Sequence, residues 1–233
     1  LSTMLLAVSA EAGPAGIYTI NGDGLTIGFD TTDGDLSLTQ ITGTNGVNWI
    51  ARPSKVLWKI AWVGPDGKTQ EISSEEARLI GVTQSKKGLQ FAWEVRIDTQ
   101  DRKVAIEIEA REGKPLSDWR LTAKAPPGWK VNRVDFPIIP DVSDKAATKM
   151  AVPFGYGLEY EVKPGMSYEA TYPSMIAAMQ FLSFYGTGKA LYVGTHDTQA
   201  NHKVYSAHAN ENGLTYRCAN WPGLLEKSGE TYE

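Results

Sequence analysis

The stretch Thr171–Asp197, TYPSMIAAMQFLSFYGTGKALYVGTHD, decides the fold class. Two apolar runs, Met179–Tyr185 and Ala190–Thr195, flank the turn Gly186-Thr187-Gly188-Lys189. Runs of this length bounded by glycines predict a β-hairpin whose strands are largely buried. The second run exits into His196-Asp197, so this polar pair is expected where a buried strand meets solvent, at a rim of the kind that carries function. Ser174–Phe184 has a composition a helix could use, but its second half continues into the glycine turn, which favours a strand.

The same signals recur outward from the hairpin. Strands are expected at Leu25–Phe29, Leu36–Ile41, Val56–Val63, Arg78–Gln84, Leu89–Ile97, Val104–Ala110, Asp118–Ala125, Trp129–Phe136, Lys203–Ala209 and Leu214–Ala219, separated by Gly, Pro and Asp. The turn Gly64-Pro65-Asp66-Gly67 has proline for a fixed φ and glycine for a positive one. Val104–Ala110 alternates apolar with acidic residues, so its glutamates are expected to face water. Helical periodicity is scarce, with Ser74–Ile80 the one short candidate. Strands at this spacing predict an all-β protein, an antiparallel β-sandwich or barrel. No repeat or low-complexity linker divides the chain, and residues 13–233 are expected to form one domain.

The chain has 233 residues with 42% hydrophobic and 21% charged, enough apolar material for one sizeable core. Its formal net charge of −4 lacks the basic footprint of a nucleic-acid binder. Lys86-Lys87 and Arg102-Lys103 fit solvated turns. No apolar run reaches the ~18 residues of a membrane-spanning helix. The single cysteine, Cys218, excludes an internal disulfide and lies in an alternating segment, where a small strand residue is a better reading than a reactive thiol. Met4–Ala12 pairs a short apolar segment with small residues at alternate positions, the pattern at the end of a secretory signal peptide. Residues 1–12 are therefore a leader remnant or a disordered segment, and the leader reading makes the protein secreted or periplasmic, from a bacterium.

Seven tryptophans and ten tyrosines suggest sugar stacking, but most of the tryptophans have a plainer use. Val56, Trp58, Ile60 and Trp62 fall on one face of a strand, and such a stripe is core. Trp93 reads the same way. Trp49, Trp119, Trp129 and Trp221 lie near strand ends, where an exposed platform is easier to build. The three histidines, His196, His202 and His208, are spaced by six, but Asn201 suggests a turn between them. No HExxH or CxxC pattern is present, so no metal site or cofactor is expected. A rim histidine pairing with Asp197 and a solvated His208 are the better readings. Asp30, Asp33 and Asp35 do not match the EF-hand spacing and fit a polar turn, with weak calcium binding the alternative. Glycoside hydrolysis requires two carboxylates facing each other. Glu159, Glu161 and Asp197 are the candidates, though nothing in the sequence brings any two together.

The order of several motifs carries a resemblance. They are Leu25–Phe29 with Gly34-Asp35-Leu36, Asn48-Trp49-Ile50, Leu57-Trp58-Lys59, Val134-Asp135-Phe136-Pro137, Pro153-Phe154-Gly155-Tyr156-Gly157, Tyr172-Pro173-Ser174 with Met179-Gln180-Phe181, and Leu191–Asp197. In that order, over about residues 20–210, the chain resembles the N-terminal β-sandwich that precedes the catalytic barrel in several large bacterial glycoside hydrolases. This domain is a supersandwich related in fold to galactose mutarotase. The resemblance implies a non-catalytic domain that supports and borders a downstream (β/α)8 barrel of the same polypeptide, with the catalytic residues on that barrel. It also implies a chain cut short at its C-terminal end, and carbohydrate as the partner. Tyr156, Glu159, Trp129, His196, Asp197 and Trp221 are the candidate carbohydrate contacts, with no catalytic residue assigned. The alternatives are an independent carbohydrate-binding module and, on fold analogy alone, a mutarotase-like epimerase.

Overall fold

A computed structural model describes residues 15–186, 188–222 and 231–232. The leader expected over residues 1–12 and the turn residue Thr187 lie outside the described residues. Every strand pairing is antiparallel, and no α-helix occurs among the described residues. None is therefore long and apolar enough to cross a membrane.

The hydrogen bonds divide the strands into four sheets. The first joins β1 (Ile17–Gly22), β2 (Leu25–Asp30) and β3 (Ser37–Gly43). The second, six-stranded, runs in the order β13 (Ser167–Tyr172), β16 (Lys203–Asn210), β17 (Gly213–Asn220), β10 (Lys130–Val142), β4 (Lys59–Val63) and β5 (Thr69–Ser73). The third runs β12 (Leu158–Glu161), β11 (Lys149–Val152), β14 (Phe181–Gly186) and β15 (Lys189–Gly194). The fourth runs β18 (Thr231–Tyr232), β9 (Ser117–Lys124), β8 (Gln100–Ala110), β7 (Gly88–Ile97) and β6 (Arg78–Gln84).

One continuous core joins the sheets. Phe29 of β2 meets Phe91 of β7 at 4.8 Å between ring centroids, and Trp58 meets Trp93 edge-on at 5.7 Å. Phe184 of β14 meets Tyr216 of β17 at 6.0 Å, fastening the four-stranded sheet to the six-stranded one. The expected tryptophan stripe is core, since Trp58, Ile60 and Trp62 are fully buried. However, the strand opens only at Lys59, and Val56–Trp58 approach it as an irregular segment. Trp49, near a strand end where an exposed platform was considered, is also buried.

All ten expected strands and the hairpin form, with boundaries shifted by up to six residues, the most at the end of β10. The short helix considered at Ser74–Ile80 does not form. Its first residues are a turn in which the Glu76 carboxylate accepts hydrogen bonds from the Ser73 amide and hydroxyl, both at 2.8 Å, and β6 follows at once. Strands β1, β5, β11, β12, β13 and β18, each of two to six residues, lie outside the strands expected from the sequence.

The Thr171–Asp197 hairpin needs one correction. Leu182 and Phe184 of β14 are buried, but β15 is an edge strand with Ala190 and Tyr192 exposed. It is therefore a half-exposed strand and not a second core strand.

Candidate functional site

Three loops leave the same end of the four-stranded sheet. Residues 153–157 join β11 to β12, residues 173–180 join β13 to β14, and residues 195–202 join β15 to β16. The antiparallel registers, with Ala151 opposite both Ser183 and Glu159 and Ser183 opposite Tyr192, place the three at one rim.

The loop at 195–202 is built around Asp197. Its carboxylate accepts hydrogen bonds from the amides of Gln199 (2.8 Å) and Asn201 (2.7 Å), and an ion pair from the Lys203 ammonium (2.7 Å). Lys203 is 2% exposed, also donates to the Asn201 carbonyl at 2.9 Å, and lies over the Tyr172 ring. Gln180 reaches across from the neighbouring loop, donating to the Asp197 carbonyl at 2.7 Å and accepting from the Thr195 hydroxyl at 3.0 Å. The Thr195 hydroxyl also bonds the buried Tyr205 hydroxyl. Partial burial alone would raise the Asp197 pKa. The Lys203 ammonium and the two amides outweigh it and hold the carboxyl below its usual range.

This loop borders a cleft of about 1170 Å³. The opposite wall is β8 and β9, with Glu107, Arg111, Asp118 and Trp119 among the lining residues. The loop side presents His196, His202 and Trp221. The rings of His202 and Trp221 are 5.2 Å apart, and His196 lies nearly parallel to Tyr192 at 6.3 Å. On the far wall Asp118 is paired with Arg111, which lowers its pKa.

The candidate contacts separate into four places. His196, Asp197 and Trp221 meet at the cleft. The carboxylate of Asp197 is engaged from inside the protein and pairs with Lys203, where a partnership with a rim histidine was expected. Tyr156 stands at the tip of the 153–157 loop, fully exposed between Gly155 and Gly157, both at positive φ. Glu159 lies on β12, the far edge of its sheet, where Lys149 pairs with it at 2.7 Å and the Tyr185 hydroxyl donates to it. Trp129 is packed over Gly64 and does not line the cleft. The rest of the carboxylate set does not converge either, since Glu161 pairs with Lys163. His208 bonds Ser167 at 2.9 Å, away from the other two histidines. Among the described residues, no three His, Cys, Asp or Glu side chains gather as a metal site. Cys218 is buried, and burial pushes its thiol pKa up to about 12, as suits a structural residue.

Tyr192 was missed. It is 44% exposed and stacks on Phe181 at 5.3 Å with 28° between the planes. A Cβ added at Gly194 would lie 2.6 Å from the Tyr192 hydroxyl, so the ring lies flat along its own strand over the glycine. An aromatic two residues before a glycine in a strand, Tyr192-Val193-Gly194, was the available signal.

No family model matches the chain. A Bacteroides thetaiotaomicron protein named "Putative glycoside hydrolase" is 26% identical over 164 residues, covering 68% of this chain. The aligned part is 24% of that protein, so the chain spans about a quarter of the curated relative's length. Among solved structures, the alpha-N-acetylgalactosaminidase NagBb from Bifidobacterium bifidum, in its GalNAc complex, superposes with a TM-score of 0.61 at 11% identity. That superposition covers 88% of this chain and 33% of the enzyme. The chain is thus related to a protein named as a glycoside hydrolase, and it shares an all-β fold with part of a carbohydrate-active enzyme.

Proposed function

We propose that this chain is a non-catalytic β-sandwich of the supersandwich, galactose-mutarotase-like type, lying N-terminal to the catalytic barrel of a secreted or periplasmic glycoside hydrolase. The observation that carries this reading is the coverage. The fold match takes in 88% of this chain but only 33% of the galactosaminidase. A unit filling a third of a glycan-cleaving enzyme is a domain of it.

Two features of the rim add support. Glycosidases work with two carboxyl groups about 5 to 10 Å apart across the scissile bond. Here Asp197 braces its own loop and Glu159 is held by Lys149 and Tyr185, so neither is poised as half of such a pair. The second feature is the loop pair at 153–158 and 173–181, which carries no charged residue in a chain that is 21% charged. Phe154, Tyr156, Leu158, Met175, Ile176 and Met179 are all exposed on it. Interface cores are depleted of charge and rich in aromatics and methionine, so this is the face on which the barrel would rest. Tyr156, His196 and Trp221 would then border its sugar pocket.

The coding sequence and an assay test this together. The reading frame is expected to continue at least ~250 residues past Glu233 into alternating strands and helices. The 233-residue chain is expected to release no aryl aglycone, while the longer product does. A frame that ends shortly after Glu233, or turnover by the short chain that Glu159→Gln abolishes, would overturn the proposal. A second reading, an independent carbohydrate-binding module, is favoured by one observation, the exposed flat ring of Tyr192.

A further inference from the structure

The outer face of the four-stranded sheet has an unusual cross-section. Glu159, Ala151, Ser183 and Tyr192 are successive register partners across β12, β11, β14 and β15, so their side chains stand in one row on one face. The inward neighbours Met150, Val152, Leu182 and Phe184 are all buried, which fixes this row as the outward one. At one end is the flat ring of Tyr192 with Phe181 beside it. At the other end the Glu159 carboxylate is held by the Lys149 ammonium and the Tyr185 hydroxyl. Between them the floor is only a methyl and a hydroxymethyl group. The row spans three strand spacings, about 14 Å.

We infer that this row is a binding track for a neutral pyranose oligosaccharide, with Tyr192 stacking on one sugar ring and the Glu159–Lys149–Tyr185 cluster bonding the hydroxyls of another. The inference deepens the reading above, on which its choice of ligand class rests. Sugar rings present an axial C–H face that packs on an aromatic plane and an equatorial rim of hydroxyls that needs charged or polar partners. The track offers both, at a separation that a short oligosaccharide bridges. A solvent-facing sheet surface ordinarily carries long polar side chains, which would fill such a floor. The carboxylate of Glu159 retains acceptor capacity beyond the two donors it already holds. The charge-free loop pair at the rim offers no comparable polar partner, and so suits a protein face better than a sugar.

Gly194 is the positioning residue. Its φ is not in the left-handed region, but the new Cβ of an alanine would lie 2.6 Å from the Tyr192 hydroxyl, lifting the ring, and 3.0 Å from the Gln180 carbonyl.

Isothermal titration of the 233-residue chain with maltohexaose, cellohexaose and N-acetylgalactosamine tests this. At least one of the two hexaoses is expected to bind with a Kd of about 1 mM or tighter, more strongly than the monosaccharide. Tyr192→Ala and Gly194→Ala should each weaken binding about tenfold, with the thermal midpoint little changed in Tyr192→Ala, and Tyr192→Trp should retain it. Ser183→Trp, which fills the floor, should abolish it. Absence of binding by both hexaoses, or undiminished binding in Ser183→Trp, overturns the inference. Loss of binding in Trp221→Ala but not in Ser183→Trp does so too, because it places the sugar in the cleft, whose lining also includes Tyr192. None of these results bears on whether a barrel follows Glu233, so the two proposals fail separately.

Discussion

The rim of the four-stranded sheet has two halves built on opposite principles. The half at residues 195–202 is polar, and the Thr195 and Asp197 side chains are turned inward. Asp197, Gln180, Thr195 and Lys203 satisfy one another and the loop backbone. The half at 153–158 and 173–179 is apolar and is held by backbone bonds and two hydroxyls, with Ser174 accepting from the Ile176 and Ala177 amides and Tyr168 donating to the Ile176 carbonyl. The Gly155 amide donates to the Met175 carbonyl at 3.0 Å, the Ala178 amide donates to the Pro153 carbonyl at 2.8 Å, and its large side chains project outward. The comparison teaches that a conspicuous polar pair such as His196-Asp197 can owe its aspartate to loop construction, while the surface available to a partner is the less conspicuous apolar loop.

The largest effect should come from the polar half. Asp197→Ala leaves the buried Lys203 ammonium without its counter-charge, and breaking such a pair costs about 3 kcal/mol, the low end of the usual range because Asp197 keeps some exposure. Urea denaturation measures the loss, and the double variant Asp197→Asn with Lys203→Met should lose less than Asp197→Ala alone. If Asp197→Ala were neutral, the two halves would not differ in the way described.

Acid should separate the halves next. The folded pKa of Asp197 lies below its unfolded value, so its contribution is complete above about pH 4 and is lost as pH falls through the depressed folded value. Thermal midpoints measured between about pH 4 and 2 should fall more steeply in the wild type than in Asp197→Asn. Substitutions in the apolar half should leave that slope unchanged.

Cys218, on the strand next to Lys203, reports whether the polar half stays closed. With its thiol pushed up to about 12, and no solvent exposure, it should react with a disulfide reagent at pH 8 about a thousandfold more slowly than a free thiol. Asp197→Ala should speed this reaction, and Tyr156→Ser should not.

The smallest effect on stability belongs to the apolar half. Tyr156 is fully exposed and Met175 is 76% exposed, so Tyr156→Ser and Met175→Ser should change the unfolding free energy by no more than about 0.5 kcal/mol. Both should lower binding of a hydrophobic dye to the folded chain. A destabilisation of about 2 kcal/mol by either would show that the loop is packed against the molecule.

Much of the fold was legible because strand signals are local. Alternation over Val104–Ala110, the core stripe of Trp58, Ile60 and Trp62, and the glycine turn of the hairpin all act between neighbours in sequence. The errors share a different cause. Alternation says which residues face together, but not whether a partner strand covers them, so the edge position of β15 and the exposure of Tyr192 stayed hidden. The burial of Trp49, near a strand end, was open for the same reason. The candidate site was legible only as a set of residue types. Which carboxylate meets which cation depends on loops far apart in sequence, as the pairing of Glu159 with Lys149 and Tyr185 shows.

By itself, the sequence determined an antiparallel all-β protein with a tryptophan-rich core, a buried cysteine and a hairpin that brings His196 and Asp197 to a rim. Apolar period and turn chemistry are properties of adjacent residues, and they suffice for that much. Only the tertiary structure decided that Asp197 braces its own loop, that Tyr192 lies flat over Gly194, and that Glu159, Ala151, Ser183 and Tyr192 form one row. These depend on strand order and register, which arise when distant segments pair and bury their apolar faces together.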